Sequence, residues 1–99
     1  LAIEQEVTVT GVLKCGQHNQ AGATVKLLEE DFMISIMDRS VTKVDTSGSF
    51  VIKYTYNSPY KIVPVLIMEH DCGGDRKTIE RLVLLDFWTT ESSTVRKRV

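Results

Sequence analysis

Residues 7–15 read VTVTGVLKC, and their alternation decides the class of fold. One side of an extended chain would carry Val7, Val9, Leu13 and Cys15, and the other Thr8, Thr10 and Lys14. Successive side chains of a strand lie on opposite faces, whereas an amphipathic helix repeats its apolar positions about every 3.6 residues. The stretch therefore predicts a half-buried strand whose cysteine points inward.

The same period of two continues along the chain. Further strands are predicted at 23–29, 50–57, 61–72, 78–88 and 94–99. Residues 41–56, VTKVDTSGSFVIKYTY, have the clearest hairpin pattern. Asp45 can accept hydrogen bonds from the amides of its own turn, and Gly48 tolerates a positive φ, so the turn has a chemical basis.

Two segments are less regular. Residues 62–68 are apolar on both faces, which is typical of a central or covered strand, and Pro64 indicates an edge or a bulge because it cannot donate to a ladder. Residues 30–40 fit a strand, a loop or one helical turn, and a loop is preferred. With six or seven short strands and turns every 8–12 residues, the chain is expected to be all-β: an antiparallel β-sandwich of about seven strands.

Composition and length exclude several classes of protein. The 99 residues suffice for about one domain, so a single domain over 1–99 is expected. Twelve basic and thirteen acidic residues give a net charge of −1, which argues against a nucleic-acid partner. No apolar run approaches the roughly 20 residues of a transmembrane helix. Since the first residue is Leu1 rather than Met, we expect a start that was processed or trimmed, which leaves room for a signal peptide.

Residues 69–74, EHDCGG, place four reactive side chains next to one another. On a strand, Glu69 and Asp71 lie on one face while His70 and Cys72 lie on the other, so at most two of them converge. Zinc needs three or four ligands, and the further His and Cys of the chain are His18 and Cys15. A thiol catalyst would need a base within about 3 Å, whereas residues two apart on a strand are about 6–7 Å apart. We therefore expect neither a metal site nor a catalytic residue, and no cofactor.

The ordered set of short motifs resembles the nematode transthyretin-like family. Its pattern runs approximately V-x-G-x-L-x-C, G-x-x-V-x-L-x-E-x-D, T-D-x-x-G-x-F and I-x-P…H-x-C. The matching positions are Val9, Gly11, Leu13, Cys15, Gly22, Val25, Leu27, Glu29, Asp31, Asp45, Gly48, Phe50, Ile62, Pro64, His70 and Cys72. The usual Gly and Pro of the first loop are replaced by Gln17 and Asn19, and further cysteines of the family are missing. The resemblance thus indicates a divergent or trimmed member.

The resemblance implies a secreted, extracellular protein with a prealbumin-like (immunoglobulin-like) sandwich and no enzymatic activity. Some members of the family are recognition proteins, including lipid-surface binders. The wider fold also includes hydroxyisourate hydrolase, whose Tyr-Arg-Gly-Ser ending has no counterpart in VRKRV (95–99), and thyroid-hormone carriers, whose channel motifs are not found here. A structural or regulatory prealbumin-like module cut from a larger protein is the alternative.

The count of two cysteines fits one disulfide or two free thiols. Given the secretion that the resemblance implies, we expect a disulfide between Cys15 and Cys72, since each ends a strand and is followed by glycine. His70 would then be a partly buried imidazole beside the bridge, with a role in binding as the alternative.

The basic run Arg96, Lys97 and Arg98 is the other candidate for binding. It fits a solvated strand end or a contact with an anionic partner such as lipid headgroups or a glycosaminoglycan, to which each basic residue would contribute about 1 kcal/mol. The expected partner is an extracellular protein or an anionic lipid surface, bound by a monomer or a homodimer.

Overall fold

The chain runs back and forth, as strands, between the two ends of a β-sandwich. In the computed structural model, the described residues are 3–29, 37–58, 63–74, 76–83 and 90–98. The strands are β1 (Ile3–Cys15), β2 (His18–Asn19), β3 (Thr24–Glu29), β4 (Met37–Lys43), β5 (Ser49–Ser58), β6 (Pro64–His70), β7 (Thr78–Val83) and β8 (Thr90–Arg98). The predicted all-β sandwich is confirmed, with eight strands when the two-residue β2 is counted.

The strands form two sheets. In sheet A, β1 pairs antiparallel with β5 and β2, and pairs with β8 on its remaining side. In sheet B the order is β4-β3-β6-β7, all antiparallel. The β1–β8 ladder is parallel, which an alternation of apolar residues cannot reveal because it carries no information about strand direction.

The core lies between the sheets and follows the predicted alternation. Every second residue of β1 is fully buried at Val7, Val9 and Leu13, while Thr8, Thr10 and Lys14 between them are partly exposed. The core cluster is completed by Ala23, Val25, Leu27, Val44, Phe50, Ile52, Leu66 and Met68. Complete burial of one such side chain contributes about 1.5–3 kcal/mol, so this alternation holds the sheets together.

The predicted hairpin at residues 41–56 is wrong in its pairing, although its turn is as expected. β4 belongs to sheet B and β5 to sheet A, and no ladder joins them among the described strands. Val44 accounts for the change of sheet. It is buried, and its backbone exchanges hydrogen bonds with Gly22 and Ala23 of the segment leading into β3. The chain therefore enters the turn tied to one sheet and leaves it in the other.

Two further expectations need correction. The preferred loop at residues 30–40 is wrong for its last part, because β4 begins at Met37 and pairs with β3 across a register shift between Leu27 and Leu28; residues 30–36 lie outside the described residues. Pro64 marks neither an edge nor a bulge. It is the first residue of β6, a central strand, where a missing N–H is tolerated.

The predicted strand at 78–88 is observed over Thr78–Val83, and the part from 84 onward lies outside the described residues. The last predicted strand is observed as β8, which begins earlier than expected, at Thr90.

Candidate binding site at the disulfide end

The two sheets are joined covalently at one end. Cys15 ends β1 in sheet A, and Cys72 follows β6 in sheet B; the two are bonded, with their Cα atoms 5.5 Å apart. We call this the disulfide end: β1, β4, β6 and β8 finish there, while β3, β5 and β7 begin there. The bridge joins residues that are 57 positions apart in the sequence. It restricts the unfolded chain, and the lost entropy stabilises the folded state by about 4 kcal/mol.

His70 supports this bridge from inside the sandwich. Its residue is 5% exposed, and its Nδ1 accepts a hydrogen bond from the backbone N–H of Cys72 at 3.1 Å. Because Nδ1 accepts, the neutral ring carries its proton on Nε2, which lies 3.5 Å from Oε1 of Glu80 on β7. So little exposed surface offers a partner almost nothing to contact. His70 is therefore buried beside the bridge, with little surface open to a partner.

Glu69 and Asp71 have the opposite parity from His70, as the sequence predicted. Glu69 is half-buried on the outward face of sheet B and forms an ion pair with Lys26 of β3, at 3.2 Å between Nζ and Oε1. Asp71 is exposed. The adjacent carboxylates therefore do not join His70 in a common site.

Cys15, His18, His70 and Cys72 are the four residues from which a zinc site could have been built. Cys15 and Cys72 are bonded to each other, which leaves no free thiol in the part of the chain that is described. His18 is exposed on β2, and the described residues contain no group of three or more His, Cys, Asp or Glu side chains arranged to hold a metal ion. A thiol nucleophile at Cys72 is excluded while the bridge is intact.

The turn before β5 closes the same end. Oδ1 of Asp45 accepts hydrogen bonds from the Ser47 hydroxyl at 2.6 Å and from the backbone N–H groups of Ser47 and Ser49, both at 2.9 Å. The Ser47 hydroxyl, followed by the Ser49 amide, lowers the pKa of the exposed Asp45 carboxyl. Gly48 has a φ of 82° and packs against Asn19, whose side-chain amide donates to the Thr46 carbonyl. The turn is thereby anchored to β2.

Three separate strands carry basic residues where they end, at the disulfide end. Lys14 precedes Cys15 in β1, Lys43 ends β4, and the run Arg96, Lys97 and Arg98 ends β8. Ladder register places Arg98 opposite Lys14. Arg76 and Lys77, just before β7, are exposed at the same end. The sequence alone singled out only the 96–98 run, because Lys14 and Lys43 are single and Arg76 and Lys77 form only a pair; strand pairing places them all at one end.

A surface depression of about 370 Å³ lies away from this end. It is lined by Glu6, Lys53, Tyr54 and Thr55 of β1 and β5. It holds no histidine or thiol, and none of these side chains has a role in the bridge.

Within the described residues, no helix is both long enough and apolar enough to cross a membrane.

Comparison with known proteins accounts for the order of these features. Residues 10–86 match the model of the transthyretin-like family, TTR-52. Transthyretin-like protein 16 of Caenorhabditis elegans is 28% identical over 78 residues, which are 79% of this chain and 59% of that protein. The chain therefore spans less than two thirds of the length of this relative.

A solved structure adds a likeness of fold alone. The crystal structure of a 9R-lipoxygenase from Cyanothece superposes with a TM-score of 0.55 and 12% identity, over 94% of this chain and 16% of that one. The family match covers all of β2 to β7 and residues 10–15 of β1, including both bridged cysteines and the Asp45 turn. On this evidence the predicted resemblance is confirmed, and the chain belongs to the transthyretin-like family.

Proposed function

We propose that this protein is a secreted, non-enzymatic recognition protein that binds an anionic partner outside the cell through its disulfide end. Secretion is supported by the Cys15–Cys72 bridge, because structural disulfides persist in oxidising compartments, and by the family. The proposal includes the prediction that residues 1–99 form one domain. A monomer or a homodimer would serve equally, with no cofactor.

The segregation of charge along the strands carries this proposal. Basic residues concentrate where β1, β4 and β8 end, as described above. Acidic residues concentrate towards the other end of the same ladders: Glu4 and Glu6 in β1, Glu29 at the end of β3, Asp38 early in β4 and Glu91 early in β8. Among the described residues, basic residues thus predominate at the disulfide end and acidic residues at the other.

The acidic residues described at the disulfide end weaken this field only in part. Glu69 is paired with Lys26, and the remaining acids described there, Asp45, Asp71 and Glu80, are fewer than the basic residues named above. A field of this shape orients the protein so that the disulfide end approaches an anionic partner first. The candidate partners are an anionic lipid surface and an acidic extracellular protein.

Sedimentation with liposomes tests the lipid form of the proposal. Oxidised protein should sediment with vesicles containing phosphatidylserine and remain in the supernatant with neutral vesicles. Arg76→Glu with Lys77→Glu should lower the affinity roughly 30-fold or more, since each exposed cation contributes about 1 kcal/mol. Glu6→Lys, which raises the net charge at the opposite end, is the control and should change the affinity little.

Equal binding to neutral vesicles would count against an anionic lipid partner. In that case, affinity capture from extracellular fluid with the oxidised protein, compared with the same double variant, tests the protein form. A protein that the wild type captures and the variant does not would support the protein form. Capture of the same protein by both would contradict binding through the disulfide end.

The alternative is a structural or regulatory β-module within a larger protein. The observation that favours it is the greater length of the Caenorhabditis elegans relative. The intact mass of the native protein separates the two proposals.

A further inference from the structure

Strand parity divides the basic run of β8. In the parallel ladder with β1, Arg96 lies opposite Val12 and Arg98 opposite Lys14, whereas Lys97 lies opposite Leu13. Leu13 is fully buried in the core, while Val12 and Lys14 on either side of it are partly exposed. Since neighbouring residues across a ladder share a face, Arg96 and Arg98 belong to the outward face of sheet A and Lys97 to the opposite face.

The outward face next to the disulfide end has a distinctive composition. We call it the hydroxyl face. Its members are Thr8, Thr10, Val12 and Lys14 of β1, Asn19 of β2, Ser49, Val51 and Lys53 of β5, and Ser92, Thr94, Arg96 and Arg98 of β8. By register, these positions hold four Lys or Arg residues, five Ser or Thr residues and no Asp or Glu. The first acid on the same face is Glu6, one row beyond Thr8.

The spacing on this face is regular. Same-face residues along a strand are about 6.8 Å apart, and neighbouring strands are about 4.8 Å apart. Lys14 and Arg98 are therefore neighbours across the ladder at about 4.8 Å, and Arg96 lies about 6.8 Å from Arg98 along β8. Ser and Thr residues continue this face along β1 and β8. Arginine and hydroxyl groups are suitable donors for tetrahedral oxyanions such as sulfate. One guanidinium group can donate two parallel hydrogen bonds to such an anion.

The hydroxyl face lacks the aromatic and large apolar side chains that would insert into a bilayer. It contains no aromatic residue among its described members, and its apolar members are the partly exposed Val12 and the 58% exposed Val51. Interfacial lipid binders combine basic residues with Trp, Phe or Leu that enter the membrane. A water-borne polyanion therefore fits the hydroxyl face better than a membrane does.

We propose that the hydroxyl face binds a sulfated polysaccharide, with Lys14, Arg96 and Arg98 as contact residues and Lys97 outside the contact. The inference rests on the proposed function in requiring an anionic extracellular partner, and it adds the class of partner and the face that binds it. The adjacent residues Arg96 and Lys97 thereby acquire different roles although their charges are alike.

A pair of matched charge reversals tests this assignment. Heparin is the probe, and its affinity for the oxidised full chain is measured by titration at low salt. Arg96→Glu should weaken binding about 10- to 30-fold, whereas Lys97→Glu, with the same change in net charge one residue away, should weaken it less than 3-fold. Lys14→Glu should match Arg96→Glu from a different strand, which keeps the test decisive if a β8 variant is unstable. Urea midpoints of all variants report folding independently.

Hyaluronan and lipid vesicles complete the experiment. Unsulfated hyaluronan should bind at least 10-fold more weakly than heparin, because the contact requires sulfate. Equal losses from Arg96→Glu and Lys97→Glu would overturn the assignment of the face, and equal affinity for hyaluronan would overturn the class of partner.

The vesicle arm separates this inference from the proposed function. Binding to phosphatidylserine vesicles that depends on Arg76 and Lys77, without binding to heparin, would overturn the polysaccharide inference and leave the proposed function standing. If no heparin, vesicle or captured protein binds, both proposals fail.

Discussion

The backbone N–H of Cys72 donates a 3.1 Å hydrogen bond to Nδ1 of His70, so a buried imidazole braces the residue that closes the only disulfide of this chain. The carboxylate of Glu80 on the adjacent strand lies 3.5 Å from the other ring nitrogen. The bridge thereby joins β1, through Cys15, to the end of β6, where His70 supports Cys72, and Glu80 of β7 lies nearby. The histidine that first resembles a reactive group is part of this support.

Replacing His70 by alanine should destabilise the oxidised protein by about 2–4 kcal/mol. The change leaves a cavity and removes the acceptor of the Cys72 N–H, and an unsatisfied donor alone costs about 1–3 kcal/mol. Urea unfolding monitored by tryptophan fluorescence measures the difference. Asp71→Ala, at an exposed neighbouring residue, should stay within about 0.5 kcal/mol. Similar costs for both variants would contradict the bracing role.

Removal of the disulfide should destabilise the protein by about 4 kcal/mol. Cys15→Ala with Cys72→Ala frees a loop of 57-residue separation in the unfolded chain, and a small β domain has little stability to lose. The same urea experiment, with the reduced and alkylated wild type as the comparison, gives the value. Intact mass provides a second check: labelling of either cysteine under denaturing conditions without reductant would contradict the bridge.

Lowering the pH should destabilise the wild type through its Asp45 turn, and this loss should be absent from the Asp45→Asn variant. The folded pKa of Asp45 is lowered from 3.8 by hydrogen bonds from the Ser47 hydroxyl and the Ser49 amide. A lowered folded pKa gives stability that is complete above the unfolded value and is lost as the pH falls through the folded value. The wild type should therefore exceed Asp45→Asn in its urea midpoint at pH 7, and the gap should close as the pH falls through the lowered folded pKa. A gap independent of pH would show that the charge plays no part.

Gly48→Ala should cost more than Gly22→Ala, although both glycines have a positive φ, of 82° and 85°. Left-handed backbone costs a non-glycine residue about 1–2 kcal/mol. At Gly48 an added Cβ would also lie 2.9 Å from Oδ1 of Asn19, whereas at Gly22 it would meet nothing within 4 Å. Gly74→Ala, where the space is open and φ is not positive, is the neutral control. Thermal unfolding ranks the three, and equal costs at Gly48 and Gly22 would show that Asn19 moves aside freely.

Local patterns in the sequence predicted those features that depend on neighbouring residues alone. The alternation at residues 7–15 predicted which side chains of β1 are buried, because strand parity is a property of the extended backbone. Asp45 and Gly48 predicted their turn for a similar reason: the carboxylate reaches amides two and four residues ahead. The parity of residues 69–72 likewise separated His70 from Glu69 before any contact was known.

The pairing of strands was predicted less well. Residues 41–56 have every local feature of a hairpin, yet burial of Val44 and its hydrogen bonds to the segment before β3 send β4 and β5 into different sheets. The proximity of Glu80 to His70 and of Lys14 to Arg98 left no signal in the sequence, because each pair is joined only through a ladder. Register between distant strands depends on how two sheets bury their apolar faces together, which no local pattern contains.

By itself the sequence determined an all-β sandwich, its buried alternation, its central turn and, through an ordered set of motifs, its family. Only the tertiary structure decided that β8 runs parallel to β1, with Arg96 opposite Val12 and Arg98 opposite Lys14. Local backbone geometry determines which residues alternate. The direction and register of a strand against its neighbour determine which distant charges become adjacent.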